Sequence, residues 1–228
     1  MSEKSIHIIS KSDLPEGGFA GIIETRMVMN PDMWQDATNR KDISHGFEDF
    51  LYLANGHFKP NDGAPMHPHG NVDIVSVVLN GRIGHKGSLG DGTVIEGPGV
   101  QVQRAGSGIE HSEFNLDDSK ADIIQIWFRP PSKDLTPAYQ EFKLDENNLI
   151  TVLGGDDPER FDSNMTCKVG GLSKGDTLSL KGKFIALITN GKAQANGLSV
   201  KTDDLIEGEQ LELTATEKTN LIIIQSNK

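Results

Sequence analysis

The chain is 228 residues long with a formal net charge of −11, an acidic balance that excludes direct nucleic-acid binding, which needs a basic face. No run approaches the ~20 apolar residues needed to cross a bilayer, and Met1-Ser2-Glu3-Lys4-Ser5 lacks the apolar core of a signal peptide. One cysteine, Cys167, allows no internal disulfide, so a reducing, cytoplasmic home is expected.

Glycine accounts for 25 residues, roughly 11% against a usual ~7%, which favours a turn-rich β protein. In chain order, Pro31–Asn39 reads as a short helical turn. From Phe50 to Phe128 short apolar runs then alternate with turn chemistry. Val72–Leu79 is a predicted strand ended by Asn80-Gly81, the dipeptide best suited to a tight hairpin. Further glycines (Gly81, Gly84, Gly87, Gly90, Gly92) punctuate the next stretch, and Val94-Ile95 leads into the turn Glu96-Gly97-Pro98-Gly99. Val100–Gln103 alternates apolar with polar, Ala105-Gly106-Ser107-Gly108 turns the chain into Ile109–Phe114, and Ile123–Phe128 is a last apolar run.

Pro130-Pro131 and Pro137 mark a link between halves, with Pro137–Phe142 read as a second short helical turn. The predicted domains are 1–145 and 146–228. In the second, Leu178–Leu180, Phe184–Thr189, Leu211–Leu213 and Leu221–Ile224 repeat the strand texture. Val78-Leu79-Asn80-Gly81 matches Ile188-Thr189-Asn190-Gly191 at an offset of 110, and Ile95-Glu96-Gly97 matches Ile206-Glu207-Gly208 at 111. The final strands match at only 98, from Ile123 to Leu221. The pattern is that of a tandem duplication of one small barrel whose second copy has lost a segment.

The chemistry sits in the first copy. His67-Pro68-His69 and His111-Ser112-Glu113 are i,i+2 pairs, and in a strand such residues point to one face. Three imidazoles and one carboxylate suit a first-row divalent metal and leave positions open on an octahedral ion. A closed structural zinc site would more typically use cysteines, and none is near. Iron(II) is the first choice, with manganese, nickel, cobalt, copper or zinc compatible. The second copy offers Thr177 and Ser179 at the positions of His67 and His69, poor metal ligands. Asp73 is a candidate to orient an imidazole, and Arg104 a candidate to meet an anionic substrate at the pocket mouth. His57 and His85 read as surface or packing residues.

These residues closely resemble the pirin family, a two-domain branch of the cupins. His67-Pro68-His69 followed by Asp73 resembles the family's H-P-H-x-x-x-E. Leu79-Asn80-Gly81, His85 and Ser88-Leu89-Gly90 resemble a second block, and Ala105–Glu113 resembles A-G-x-G-I-x-H-S-E. Gln125-Ile126-Trp127, Thr136-Pro137 and Tyr139 resemble the segment that closes the first barrel. The departures are Asp73 for Glu, Gly70 for a basic residue, Gly87 for an Asp, and Gln103-Arg104 for more apolar residues. The resemblance implies an all-β bicupin, two tandem double-stranded β-helix (jelly-roll) barrels. It further implies one metal in the N-terminal barrel on His67, His69, His111 and Glu113, and a monomer.

Some bacterial members resemble quercetin 2,3-dioxygenases, which open a flavonol ring with dioxygen. In that reading the metal polarises a substrate hydroxyl and Glu113 takes its proton as general base. Others act as redox-sensitive partners of regulatory proteins, in which a change of oxidation state alters the surface around the site. A cupin acting on an unrelated metabolite is the third reading.

Overall fold

The computed structural model describes residues 5–144 and 147–227. Its strands are β1 (Ile6–Ser10), β2 (Gly17–Phe19), β3 (Ile22–Met29), β4 (Phe50–Phe58), β5 (Gly63–His69), β6 (Asp73–Val78), β7 (Arg82–Gly87), β8 (Val94–Glu96), β9 (Gly99–Arg104), β10 (Ile109–Asn115), β11 (Ala121–Phe128) and β12 (Ala138–Lys143). The second half adds β13 (Ile150–Leu153), β14 (Met165–Leu172), β15 (Thr177–Asn190), β16 (Lys192–Ala195), β17 (Leu198–Lys201), β18 (Asp204–Ala215) and β19 (Thr219–Ser226). Among the described residues helix is limited to two short 3-10 turns, Lys11–Asp13 and Gln35–Asn39, neither able to span a membrane. The all-β expectation holds.

Contacts divide the chain into two compact units. One is Leu14–Lys143; the other joins the segment ending at Asp13 to residues from Leu144 onward. The predicted boundary between 145 and 146 lies outside the described residues. The N-terminal segment belongs with the second unit because β1 adds itself antiparallel to β18, Ile6 opposite Gly208 and Ser10 opposite Asp204.

Within Leu14–Lys143 two antiparallel sheets face each other: β5-β10-β7-β8, and β12-β9-β6-β11-β4-β3-β2. The larger sheet carries inward rows that register fixes across five strands. Gln101, Ser76, Gln125, Ala54 and Arg26 form one row. Gln103, Ile74, Trp127 and Tyr52 form the next. At one end Phe58, Val78, Ile83, Ile95, Ala121 and Ile123 close the interior with apolar packing. At the other, Val72, Ile74, Ala105 and Ile109 pack together. A polar middle between two apolar plugs is where burying a functional group is affordable only with partners.

Pro137–Phe142, read from sequence as a helical turn, is strand instead. Ala138 through Lys143 pairs residue for residue with Arg104 through Gly99, and the pairing overrides the local turn signal of Pro137.

The second unit is an eight-stranded sheet whose core joins Phe184, Ala186, Ile188, Ile206, Leu211, Leu213, Leu221 and Ile223. β15 pairs with β18 and β19 as β6 pairs with β9 and β11. The chain passes from β18 to β19 through residues 216–218, with no strand in the place β10 holds in the first unit. Thr177 and Ser179 sit at exposed positions of β15.

Candidate metal centre

β10 is the middle strand of its neighbours, with β5 on one side and β7 on the other. Its alternation is complete: Ile109, His111, Glu113 and Asn115 are buried, while Glu110, Ser112 and Phe114 turn outward or toward the surface. His111 is directly opposite His67, and Ile109 opposite His69, so three imidazoles meet on one face. Their ligand nitrogens lie within 4.8 Å of one another, and among the described residues no other cluster of three His, Cys, Asp or Glu does the same. Ring centroids are 4.6–4.9 Å apart.

Hydrogen bonds set the tautomers. His67 Nδ1 donates to the Pro65 carbonyl at 2.7 Å, which leaves the lone pair on Nε2. His85 Nδ1 donates to the Gly90 carbonyl at 3.1 Å, so its Nε2 can accept from His111 Nδ1 at 3.0 Å. His111 Nε2 then also carries a lone pair. These two lone-pair nitrogens, His111 Nε2 and His67 Nε2, face each other at 3.1 Å. Without a cation between them such an arrangement is repulsive. With bonds of ~2.1 Å at right angles, two nitrogen ligands of one ion stand about 3.0 Å apart. The donor set therefore fits a divalent metal.

Gln103 Oε1 also lies 3.2 Å from His85 Nε2, while Gln103 Nε2 is buried without a partner. A half-turn of that amide gives the orphaned nitrogen an acceptor in His85. Gly87 lets β7 approach this closely: at φ +156° its missing Cβ would stand 2.8 Å from the His111 Cα and 2.2 Å from the Glu110 carbonyl.

Burial, then the neighbouring imidazoles, depresses His111 to about 3; burial and His67 bring His69 to about 4. Both rings are neutral at any physiological pH, the form a metal requires.

Glu113 is fully buried and lines the same cavity as His67 and His69, yet stands outside their tight group. Its Oε1 accepts from Gln101 Nε2 and its Oε2 from Gln125 Nε2 at 3.1 Å, so the row on the larger sheet draws the carboxylate toward itself. Burial raises its pKa to about 7 against the opposing pull of Gln101, Ser76 and Gln125.

Asp73 and Arg104 face each other in the larger sheet, on β6 and β9, and form a bidentate pair, Nε to Oδ1 at 3.0 Å and Nη2 to Oδ2 at 2.7 Å. Neither lines the cavity beside the histidines.

That cavity, of about 220 Å³, is lined by Phe19, Ile22, Glu24, Arg26, Trp34, Tyr52, Ala64 and Trp127 as well as His67, His69, Glu113 and Gln125. Sequence reasoning passed over Glu24, Arg26, Trp34 and Tyr52, and over His85 as the partner of His111. His85 could have been found by alternation, since Ile83 and His85 share the buried face of β7.

Residues 25–128 match the sequence profile of the Pirin family. A pirin-like protein of Caulobacter vibrioides is 32% identical over 158 residues, 69% of this chain and 54% of its own length. The quercetin 2,3-dioxygenase of Escherichia coli K12 is 30% identical over 101 residues, 44% of each chain. The chain thus spans about half the length of these curated relatives. Among solved structures, the E. coli bacterial pirin YhhW in complex with nickel(II) superposes with a TM-score of 0.83 at 18% identity, covering 96% of this chain and 98% of that one. A quercetin 2,3-dioxygenase of Acinetobacter baumannii gives 0.70 at 18% identity, over 96% and 85%. The fold is a bicupin.

Proposed function

The chain belongs to the pirin family, and on that premise we propose that it is a metal-dependent dioxygenase that opens the ring of a flavonol-like substrate. The observation that carries the reading is the convergence of three imidazoles, two with their Nε2 lone pairs set by hydrogen bonds, of which His67 and His69 line a cavity walled by aromatic rings. The relatives named as quercetin 2,3-dioxygenases point to the substrate class.

His67, His69 and His111 would hold the ion, with Glu113 as the fourth donor. Iron(II) remains the first choice, and nickel, manganese, cobalt, copper and zinc suit the same donors. Bound there, such an ion supplies Lewis-acid polarisation of a substrate hydroxyl and a site for dioxygen chemistry. The chain's own contribution is positioning. Trp127, edge-on to His69 with centroids 5.4 Å apart, presents an aromatic surface next to the ligands. Glu113, buried on the same cavity as His67 and His69, is the carboxylate placed to accept a substrate proton. Gln101 and Gln125 donate to its two oxygens and fix the carboxylate plane.

The second unit, lacking a comparable ligand group among its described residues, contributes packing rather than chemistry in this reading. Cys167 is buried and its thiol is pushed up by that burial, an inert group that suits a cytoplasmic protein.

Metal content by elemental analysis, measured together with quercetin turnover in air on the wild type and His69→Ala, tests the proposal. Stoichiometric metal and ring-opened product, both lost in the variant, are expected. Metal without turnover would leave the site standing and move the assignment to a regulatory partner of another protein or to an unrelated substrate. Absence of metal even after reloading would overturn it.

A further inference from the structure

The cavity holds a second polar group beside the histidines. On β3, Glu24 and Arg26 are i,i+2 neighbours facing inward, and Arg26 Nε donates to Glu24 Oε1 at 2.9 Å. Tyr52, on β4, donates its hydroxyl to the same oxygen at 2.9 Å. Glu24 Oε2 makes no hydrogen bond to a described residue, although the side chain is only 11% exposed and lines the cavity. Gly56 makes this approach possible. It is opposite Glu24, and a Cβ there would come within 2.9 Å of the Glu24 Cβ and 2.2 Å of the Ile23 carbonyl.

Tyr52, which holds Glu24, belongs to an aromatic wall of the cavity. Trp34, Tyr52 and Trp127 pack on one another with centroids 4.9–5.9 Å apart and planes 35–37° apart. Trp127 continues to His69. The rings fill the space between one another instead of boxing a void, so they offer a stacking surface and not a cation cage. Arg26 also offsets the charge of Glu24, which weakens any pull on a cation. An anion would meet the open carboxylate oxygen and be repelled. What complements an acceptor-only oxygen beside a flat apolar wall is a neutral hydroxyl on a planar ring.

We propose that Glu24, held by Arg26 and Tyr52, is the specificity determinant of this cavity, accepting a hydrogen bond from a hydroxyl of a planar polyphenol stacked on the Trp34–Tyr52–Trp127 wall. This deepens the dioxygenase reading and takes its substrate class from it. The hydroxyl concerned is the one remote from the metal ligands, so Glu24 selects and orients and takes no part in bond breaking.

The chain's two tryptophans, Trp34 and Trp127, both line the cavity, so indole emission reports occupancy without turnover. The experiment is titration of the metal-loaded protein under argon with quercetin and with unsubstituted flavone. The wild type should bind quercetin at least roughly tenfold tighter than flavone, the scale of a hydrogen bond to a charged acceptor. Glu24→Gln should lose about that factor for quercetin and leave flavone within twofold, with metal content unchanged. Tyr52→Phe keeps the wall and removes one donor to Glu24, so it should lose several-fold for quercetin alone. It carries the test should Glu24→Gln not fold. Quercetin binding unaffected in the variants overturns the proposal, as does tighter binding of benzyltrimethylammonium than of quercetin. Turnover with no Glu24 effect would remove this subsite and leave the reaction standing. Hydroxyl-selective binding without turnover would do the reverse.

Discussion

His85 Nε2 lies 3.0 Å from His111 Nδ1, on the side of the His111 ring away from His67. His85 is itself 1% exposed, anchored to the Gly90 carbonyl and flanked by the Tyr139 ring at 5.9 Å. A buried imidazole that fixes another's tautomer acts on the metal only through it. His85→Ala should therefore weaken metal binding by about 10–100-fold, the usual effect of removing the group that orients a ligand. His85→Gln, which can still accept from His111 Nδ1, should recover part of the loss. Competition against a chromophoric chelator reads both. Equal affinity in wild type and His85→Ala would show that the contact is packing.

Metal uptake should depend on pH in part through Glu113. His69 and His111, lowered to about 4 and about 3, have no proton to lose near neutrality. Glu113, raised from 4.5 to about 7 by burial, must release one to become a donor. Below pH 7 its share of the metal affinity should fall by about tenfold per unit, one proton per metal. Glu113→Gln should remove that share of the slope; identical slopes would exclude Glu113 from the ligand set. For the metal-free fold the signs oppose. The Glu113 contribution to stability is complete below 4.5 and is lost as pH rises through about 7. The histidine contributions are complete above 6.5 and are lost as pH falls through about 4 and about 3. Denaturant midpoints across pH 3–8 should show the upper limb flattened in Glu113→Gln.

The i,i+2 spacing of His67 with His69 made their convergence legible, because strand alternation is local and His111 needs only one neighbouring strand to join them. The row Gln101–Ser76–Gln125 was not, since it exists only through the order β9-β6-β11, which no local pattern encodes. Glu24 and Arg26 lie on β3 of the larger sheet, whereas the histidines stand on β5 and β10 of the smaller one. Their i,i+2 spacing on a largely apolar strand was a signal of the kind that identified the histidines. Tyr52 carried no such mark. A tyrosine in a buried run reads as core until its hydroxyl is seen on Glu24.

Asp73 and Arg104 are the clearest instance of one residue pair with two readings that experiment separates. Their side chains are 0% and 8% exposed, and the guanidinium makes two hydrogen bonds to the carboxylate. Removing one partner leaves the other buried and charged, so Asp73→Ala should cost about 3–5 kcal/mol of stability. Replacing both, as Asp73→Leu with Arg104→Met, should cost much less than the sum, since neither charge is then buried without the other. Urea midpoints of the two singles and the double give the coupling directly. If the pair serves only the fold, the double variant should retain wild-type metal content and wild-type quercetin affinity. An Arg104→Met protein of unchanged stability but raised quercetin KM would instead return Arg104 to the substrate, the place its position ahead of the Ala105-Gly106 turn first suggested.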